Sequence, residues 1–309
     1  NRLRARLVRL GSLRMARLVS AVALWIAAFL PVSFALGPPA ANADLGVQQI
    51  GAAPIPDGPA EGWVVADLDS GQVLAARNSD TRYAPASTIK ALLALVVLDE
   101  VPLDATIVAD EADTEVECNC AGVAPGRTYT ARQLLEATLL ASGNDAANTL
   151  ARMLGGTEAA VAKMNGKAAQ LGALGTNVVT PSGLDAPGMP FWSTPRDLVV
   201  IFRAAMANPV FAQITAMPST VFPAETGDRV LVNQDELLHR YPGTIGGKTG
   251  FTDIARKTFV AAAQRDGRRL VISMMHGLVK DGGPTYWDQA AGLLDWGFAQ
   301  DRSASIGML

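Results

Sequence analysis

The sequence has few of the residues that are typical of metal-binding, nucleic-acid-binding and unstructured proteins. Among its 309 residues there are two cysteines and two histidines, and aromatic residues make up 6% of the chain. Charged residues make up 18%, hydrophobic residues 49%, and the net charge is −3. Such a chain is too apolar to stay disordered, and it has no basic excess that would attract nucleic acid. Its length allows one large domain or two small ones.

The two cysteines, Cys118 and Cys120, are separated by a single residue. Neither His239 nor His276 stands at metal-ligand spacing from them, which disfavours a metal site. A disulfide between them closes a very small ring and is expected to be strained. We therefore expect a strained or labile disulfide first, two free thiols second and a metal site last.

Long hydrophobic runs are scarce, and the one at residues 18–36 stands out. Residues 1–43 carry six arginines and no acid, Pro31 interrupts the apolar run, and Ala41-Asn42-Ala43 forms an A-x-A cleavage pattern. This order predicts an export signal at residues 1–43, and therefore a protein of the periplasm or cell wall, outside the cytoplasmic membrane. A retained membrane anchor is the alternative, because the run is just long enough to span a bilayer. Met15 is an alternative start.

Turn signals and hydrophobic periodicity divide the remaining chain. Residues 44–60 are rich in Ala, Gly and Pro and are predicted to form a linker before a domain at 61–300, with a short tail at 301–309. Alternating patterns predict strands at 62–68, 72–76, 244–252, 257–264 and 268–276. Helical spacing predicts helices at 87–99, 131–141, 145–154, 157–171, 194–207 and 285–299. The expected fold is therefore α/β, with an antiparallel sheet built from both chain ends, flanked by helices, and an all-helical subdomain inserted at about 100–210.

The first predicted helix begins with Ser87-Thr88-Ile89-Lys90. Ser87 and Lys90 share one helix face at this spacing, and an apolar segment follows the lysine. Burial without an acidic partner lowers the pKa of a lysine, so that its amine can activate a serine hydroxyl as a nucleophile. Taken alone, the pattern is better explained by a helix cap and an ordinary lysine, because S-x-x-K is common by chance.

Two further motifs follow. Ser142-Gly143-Asn144 lies between predicted helices and can direct a hydroxyl and an amide into a cleft, although a plain turn has the same composition. Lys248-Thr249-Gly250 lies on a predicted strand and offers a cation and a hydroxyl, although an edge strand with a protective lysine also fits. A phosphate-binding loop is excluded, because Pro242 stands where its first glycine is required.

The ordered motifs S-x-x-K, S-x-N and K-T-G together resemble the penicillin-binding and serine β-lactamase superfamily. The sequence is most similar to the low-molecular-mass D-alanyl-D-alanine carboxypeptidases of actinobacterial type, over about residues 60–300, and segments 180–185 and 294–298 add to the likeness. The resemblance implies a β-lactamase/transpeptidase-like fold with the active-site cleft between sheet and helical subdomain. It also implies a peptidoglycan stem peptide as substrate, β-lactam antibiotics as inhibitors, and neither a cofactor nor a metal.

The resemblance further implies a catalytic role for each motif. Ser87 attacks the carbonyl of the penultimate D-alanine and forms an acyl-enzyme, and Lys90 is its base. Ser142 passes the proton to the leaving amine, and Lys248 holds Ser142 in place. The backbone N–H groups of Ser87 and Phe251 form the oxyanion hole.

Substrate contacts are implied for two more residues. Asn144 orients the amide of the acyl chain, and Thr249 binds the terminal carboxylate. Many relatives also hold this carboxylate with an arginine before the closing helix, but Tyr286 stands at that position here. Arg256 is the alternative cation, although it fits an exposed strand residue equally well.

Three other functions stay open. A β-lactamase is disfavoured, because no glutamate lies between Lys163 and Phe222 and Ser-Gly-Asn replaces the usual Ser-Asp-Asn. An endopeptidase that cuts peptidoglycan cross-links requires the same catalytic groups as a carboxypeptidase. A non-catalytic penicillin-binding wall module is disfavoured, because every catalytic residue type is intact.

Overall fold

The computed structural model describes residues 46–278 and 281–309. The predicted export signal at residues 1–43 lies outside the described residues. Within the described ranges, no single helix is long and apolar enough to cross a membrane. One sharply bent pair, Pro195–Met206 with Pro209–Thr215, passes the same test by length and composition only.

The described chain runs from strands through helices and back to strands. The strands are β1 (Val47–Gln48), β2 (Ala60–Asp67), β3 (Gln72–Arg77), β4 (Thr106–Val108), β5 (Thr128–Thr130), β6 (Ser219–Ala224), β7 (Gly227–Val232), β8 (Thr244–Thr252), β9 (Arg256–Arg265), β10 (Arg268–Gly277) and β11 (Gly307–Met308). The helices are α1 (Lys90–Glu100), α2 (Glu111–Thr114), α3 (Ala131–Leu140), α4 (Asn144–Met153), α5 (Thr157–Gln170), α6 (Pro195–Met206), α7 (Pro209–Thr215), α8 (Glu236–Arg240) and α9 (Tyr286–Ala299), and a 3-10 turn at Ala86–Ile89 leads into α1.

Strands from both ends of the chain form one antiparallel sheet, as the sequence predicted. Its order is β1-β3-β2-β10-β9-β8, and β11 also pairs with β3. Strand β10 is the central link, since it pairs with β2 from the first half of the chain and with β9 from the second. Strand β8, which carries the K-T-G motif, is the last strand of this order, and it contacts α7 and the 3-10 turn before α1.

The sheet is buried on both faces. Successive residues of a strand point to opposite faces, so Val64 and Ala66 of β2 join the core shared with the helical block, and Trp63 and Val65 join the core beneath α9. The middle of β9, Thr258 to Ala263, is buried throughout for the same reason. Strand β9 therefore lies between the two cores.

The inserted block at about 100–210 is not all helical, in contrast to the prediction. It contains a two-stranded sheet in which Ile107 of β4 pairs with Tyr129 of β5. Strands of three residues are too short to produce a recognisable alternation, and their threonines and valine favour extended backbone. Helices α3 and α4 pack together and with α1 to form the helical wall of the cleft.

Residues 46–60 and 301–309, expected to be a linker and a tail, both lie against the domain. Val47 pairs with Ala76 on the edge of the sheet, and the Trp296 indole Nε1 donates a hydrogen bond of 2.8 Å to the carbonyl of Ala53. At the other end, Gly307 pairs with Val73. Both segments therefore add backbone and side-chain contacts to the sheet and α9.

Candidate active site

Ser87 lies in the 3-10 turn Ala86–Ile89, at the entrance of the first helix. The residue before this turn provides no side-chain cap to its backbone N–H groups. The loop at Gly183 and strand β8 at Gly250 both approach the turn closely, since a Cβ atom at either glycine would lie 2.9 Å from the Ser87 nitrogen. The absence of side chains at these two positions allows three chain segments to meet around Ser87.

Lys90 is fully buried beside Ser87, and its Nζ lies 2.8 Å from the Ser87 Oγ. The same nitrogen donates to the Asn144 Oδ1 at 2.7 Å and to the Ser182 carbonyl at 2.6 Å. Burial, followed by the charge of Lys248, lowers the pKa of Lys90 well below the usual lysine value. An amine in this state can accept a proton at neutral pH.

Ser142 and Lys248 form a second serine–lysine pair across the cleft. Ser142 occupies the turn between α3 and α4 with a left-handed φ of 58°, and Lys248 is buried on β8. The Lys248 Nζ lies 2.9 Å from the Ser142 Oγ and 2.7 Å from the Thr249 carbonyl. Burial lowers the pKa of Lys248 to about 7, although the nearby carboxylate of Asp235 acts in the opposite direction.

Asn144 is held by a small disulfide loop. Its side-chain Nδ2 donates to the Glu117 carbonyl at 2.8 Å, and its backbone nitrogen donates to the Asn119 carbonyl at 2.7 Å. Cys118 and Cys120 form a disulfide within this loop, so they are paired with each other, the arrangement that was expected first. In the described part of the chain, no group of three His, Cys, Asp or Glu side chains is placed to hold a metal ion.

Asp145 anchors the rest of this loop, a role that the sequence analysis missed. Its buried carboxylate accepts backbone N–H bonds from Ala121 at 2.9 Å, Gly122 at 2.9 Å and Val123 at 2.8 Å. An acid in the first turn of a helix is usually explained by the helix dipole, so its position gave no sign of these distant partners.

Asp235 and the Ser182 carbonyl were also missed. Asp235 is buried and caps α8 by accepting a bond of 3.0 Å from the Leu237 nitrogen. Its other oxygen, Oδ2, has no hydrogen-bond partner among the described residues. Burial raises the pKa of Asp235 to about 6, although two backbone N–H groups of α8, His239 and Lys248 oppose this rise. The capping pattern was visible in the sequence, but its closeness to Lys248 was not.

A cleft of about 490 Å³ opens in front of these groups. Five of the seven residues singled out in the sequence line it: Ser87, Ser142, Asn144, Thr249 and Phe251. The other two, Lys90 and Lys248, are buried and reach the cleft through the hydroxyls of their serines. The structure therefore brings all three motifs together at one site.

The two residues considered for carboxylate binding are placed differently. Tyr286 lines the cleft, but it is buried against Phe259 and Trp287, and burial raises the pKa of its hydroxyl. Arg256 is exposed and is not among the residues that line the cleft. Among the described residues, the one with a basic side chain in the cleft wall is instead Lys257, which the sequence analysis did not single out.

Comparison with known proteins places this site in a family. The family model described as D-alanyl-D-alanine carboxypeptidase, peptidase family S11, matches residues 49–278. The D-alanyl-D-alanine carboxypeptidase DacB2 of Mycobacterium tuberculosis is 69% identical over 267 residues, which cover 86% of this chain and 92% of that protein.

Comparison with solved structures leads to the same family. The crystal structure of D-alanyl-D-alanine carboxypeptidase from Mycobacterium tuberculosis H37Rv aligns with a TM-score of 0.83 and 70% identity, covering 85% of this chain and 100% of that one. The Streptomyces K15 DD-transpeptidase aligns with a TM-score of 0.74 and 28% identity, covering 80% and 100%. These alignments confirm the β-lactamase/transpeptidase-like fold. The chain therefore belongs to the D-alanyl-D-alanine carboxypeptidase family, the S11 serine hydrolases.

Proposed function

We propose that this enzyme removes the terminal D-alanine from peptidoglycan stem peptides through an acyl-enzyme on Ser87. One observation carries the assignment: the Ser87 Oγ lies 2.8 Å from the amine of a fully buried lysine. A serine hydroxyl is a weak nucleophile until a base removes its proton, and here the base is already in hydrogen-bond contact.

The surroundings of Lys90 support its role as this base. Two of its three hydrogen-bond partners, the Asn144 Oδ1 and the Ser182 carbonyl, can only accept. A neutral amine has two hydrogens for these acceptors, and its lone pair then points to the third partner, the Ser87 hydroxyl. The lowered pKa of Lys90 favours this neutral form at physiological pH.

The second pair supplies the proton for the leaving group. Ser87 Oγ bonds to the carbonyl carbon of the penultimate D-alanine while Lys90 takes its proton. When the carbon–nitrogen bond breaks, Ser142 donates a proton to the amine of the departing D-alanine and is reprotonated by Lys248. A pKa of about 7 lets Lys248 give up and regain this proton near neutral pH.

Backbone and amide groups would hold the substrate. The N–H groups of Ser87 and Phe251 stabilise the negative oxygen of the tetrahedral intermediate, an effect that is usually worth a few kcal/mol. Asn144 directs its amide to the acyl chain and Thr249 binds the terminal carboxylate, which agrees with their places in the cleft wall. Water then attacks the ester carbon and gives a proton through Ser142 to Lys248. The bond from that carbon to the Ser87 Oγ breaks, Lys90 returns its proton to Ser87, and the shortened peptide leaves with a new carboxyl end.

We also propose that the enzyme works outside the cytoplasmic membrane, where its peptidoglycan substrate is found, and that β-lactams acylate Ser87 as substrate mimics. The export-signal pattern at residues 1–43 and the Cys118–Cys120 disulfide support this location, because disulfides persist in oxidising compartments. A contact with the membrane itself is expected only if the signal segment is retained.

The test is the intact mass of the mature protein after minutes and hours with penicillin, together with D-alanine release from a peptide that ends in D-Ala-D-Ala. We expect a lasting adduct and release of D-alanine, and neither for Ser87→Ala. A thermal unfolding curve for Ser87→Ala checks that the variant is folded.

Each other outcome selects another function. Rapid loss of the antibiotic without an adduct indicates a β-lactamase. An adduct without peptide hydrolysis, or an intact antibiotic without an adduct, indicates a wall-binding module. Release of cross-linked fragments in preference to D-alanine indicates an endopeptidase.

A further inference from the structure

Among the described residues, one basic side chain lines the cleft wall. The acidic residues that line it are Glu117, Asp185 and Asp253, and Lys257 is the lining residue of opposite charge. Asp185 already accepts hydrogen bonds from the Thr252 hydroxyl at 2.8 Å and the Ile254 nitrogen at 3.3 Å. Among the described residues, Lys257 forms no ion pair.

Two aromatic rings fix the position of the Lys257 ammonium group. Lys257 on β9 pairs directly with Phe251 on β8, so the two side chains stand next to each other on one face of the sheet. The Lys257 Nζ lies 5.7 Å from the centre of the Phe251 ring and 5.8 Å from that of Tyr286. Cation–π contacts with both rings hold the half-buried side chain in the cleft without neutralising its charge.

The strand register relates Lys257 to the K-T-G motif. Thr249 lies two residues before Phe251 on β8 and therefore projects from the same side of the strand. A side chain at a diagonal position of neighbouring strands is within reach of a long residue such as lysine. The Thr249 hydroxyl and the Lys257 ammonium group can thus hold the two oxygens of one carboxylate.

Arg256 cannot fill this role, although it is adjacent in sequence. Neighbouring residues of a strand point in opposite directions, and Arg256 is exposed and outside the cleft wall. It is the first residue of β9, where it pairs with Thr252 and has a left-handed φ of 58°.

We propose that Lys257 binds the terminal carboxylate of the substrate and thereby gives the enzyme its preference for chain ends. This inference rests on the proposed function, because it presumes that the peptide bond before the last D-alanine lies at Ser87. A free chain end carries a carboxylate, whereas an amide occupies that place when the chain continues. A charge-assisted hydrogen bond from an ammonium group distinguishes the two.

The experiment compares a diacylated tripeptide ending in D-Ala-D-Ala with the same peptide as its C-terminal amide. For Lys257→Met we expect kcat/KM for the acid to fall about 10- to 100-fold, while kcat/KM for the amide changes little. The ratio of acid to amide hydrolysis then falls by about the same factor. Lys257→Arg should keep most of the preference, because it retains the charge.

Arg256→Met is the matched control, since it removes a neighbouring cation from the same strand. It should leave the ratio of acid to amide hydrolysis unchanged. The proposal is overturned if Arg256→Met lowers this ratio, if Lys257→Met leaves it intact, or if Lys257→Met slows both substrates equally. Lys257→Gln provides a second neutral variant if Lys257→Met folds poorly.

Failure of this proposal and failure of the proposed function give different results. If Ser87→Ala abolishes D-alanine release and Lys257→Met keeps the ratio of acid to amide hydrolysis, the function stands and carboxylate recognition lies elsewhere. If Ser87→Ala still releases D-alanine, the nucleophile is wrongly assigned whatever the Lys257 variants do.

Discussion

The two serine–lysine pairs of the active site have almost the same geometry but different surroundings. The Lys90 amine lies 2.8 Å from Ser87, and the Lys248 amine lies 2.9 Å from Ser142. Both lysines are buried, so burial lowers the pKa of each. The distances alone therefore do not determine which lysine is the base and which supplies a proton.

Their charged neighbours make the difference. Lys248 lies near the carboxylate of Asp235, which limits the fall of the Lys248 pKa to about 7. The charge of Lys248 repels that of a protonated Lys90 and lowers the pKa of Lys90 further, although the carboxylate of Asp145 acts in the opposite direction. We therefore expect the proton that the two amines compete for to lie on Lys248 and the amine of Lys90 to be neutral. Environments that separate the pKa values of two like groups divide acid from base.

Removing the amine of Lys90 tests this division most strongly. For Lys90→Met we expect the rate of acylation by penicillin to fall by about a thousandfold or more, because the Ser87 hydroxyl loses its base. The measurement is the time course of adduct formation by mass spectrometry. For Lys248→Met we expect a smaller loss of penicillin acylation, because the Ser87–Lys90 pair remains complete.

Lys163→Met is the control for removing a lysine, because this residue lies on the surface of α5 in an ion pair with Glu100. It should acylate at the wild-type rate. A Lys90→Met enzyme that still acylates within tenfold of wild type would show that another group is the base, and the two pairs would then not differ as argued.

The disulfide loop offers a second test of the difference between the two serine–lysine pairs, with a smaller expected effect. Asn144 contacts Lys90 through Oδ1 and is held by the carbonyls of Glu117 and Asn119, on both sides of Cys118. Opening the disulfide should loosen these carbonyls, so we expect kcat/KM for the peptide to fall by up to about tenfold, as expected for one lost hydrogen bond to the neutral amine of Lys90. The measurement is peptide hydrolysis before and after reduction.

The double variant Cys118→Ser, Cys120→Ser is the control for the reductant. It should show the lowered activity from the start and no further response to reduction. An enzyme with full activity in both states would mean that Asp145, through its three backbone hydrogen bonds, holds the loop without the disulfide.

Long, regular elements could be predicted from the sequence, and short ones could not. The bounds of β8 at Thr244–Thr252 agree with the prediction, and α6 begins after Thr194, whose side chain caps it. The strands β4 and β5 and the helix α8 contain three to five residues, too few to show a period. Their positions depend on the tertiary contacts around them.

The active-site residues likewise divide into those that could be predicted from the sequence and those that could not. Ser87, Ser142 and Lys248 could be found from the sequence, because their motifs are recognised by residue type and spacing. The Ser182 carbonyl could not, since a backbone oxygen has no signature in residue type and lies 92 positions from Lys90. Asp235 and Lys257 were missed because their neighbours belong to other segments of the chain, and only the folded structure brings these together.

A substitution of Asp235 tests the difference between the two serine–lysine pairs with the smallest expected effect. Its charge raises the pKa of Lys248, so Asp235→Asn should lower that pKa below about 7. If Lys248 must be protonated to supply the leaving amine, the alkaline limb of kcat/KM then moves to lower pH, by about one unit. The measurement is a profile of peptide hydrolysis from pH 5 to pH 9. Glu236→Gln, at an exposed neighbour paired with Arg240, should leave the limb in place.

The pH dependence of the free energy of unfolding gives an independent measure of the ionisation of Asp235. Folding raises the pKa of Asp235 from 3.8 to about 6, so its contribution to stability is fully present below pH 4 and is lost as the pH rises through 6. A rise of this size corresponds to about 3 kcal/mol in the free energy of unfolding. Asp235→Asn cannot titrate, so its unfolding free energy should lack this decline between pH 4 and pH 7.

If the decline persists in the variant while the alkaline limb still shifts, another buried group causes the decline, and Asp235 is charged throughout this range. If neither changes, the charge of Asp235 does not reach Lys248, and the division between the two pairs must come from burial alone.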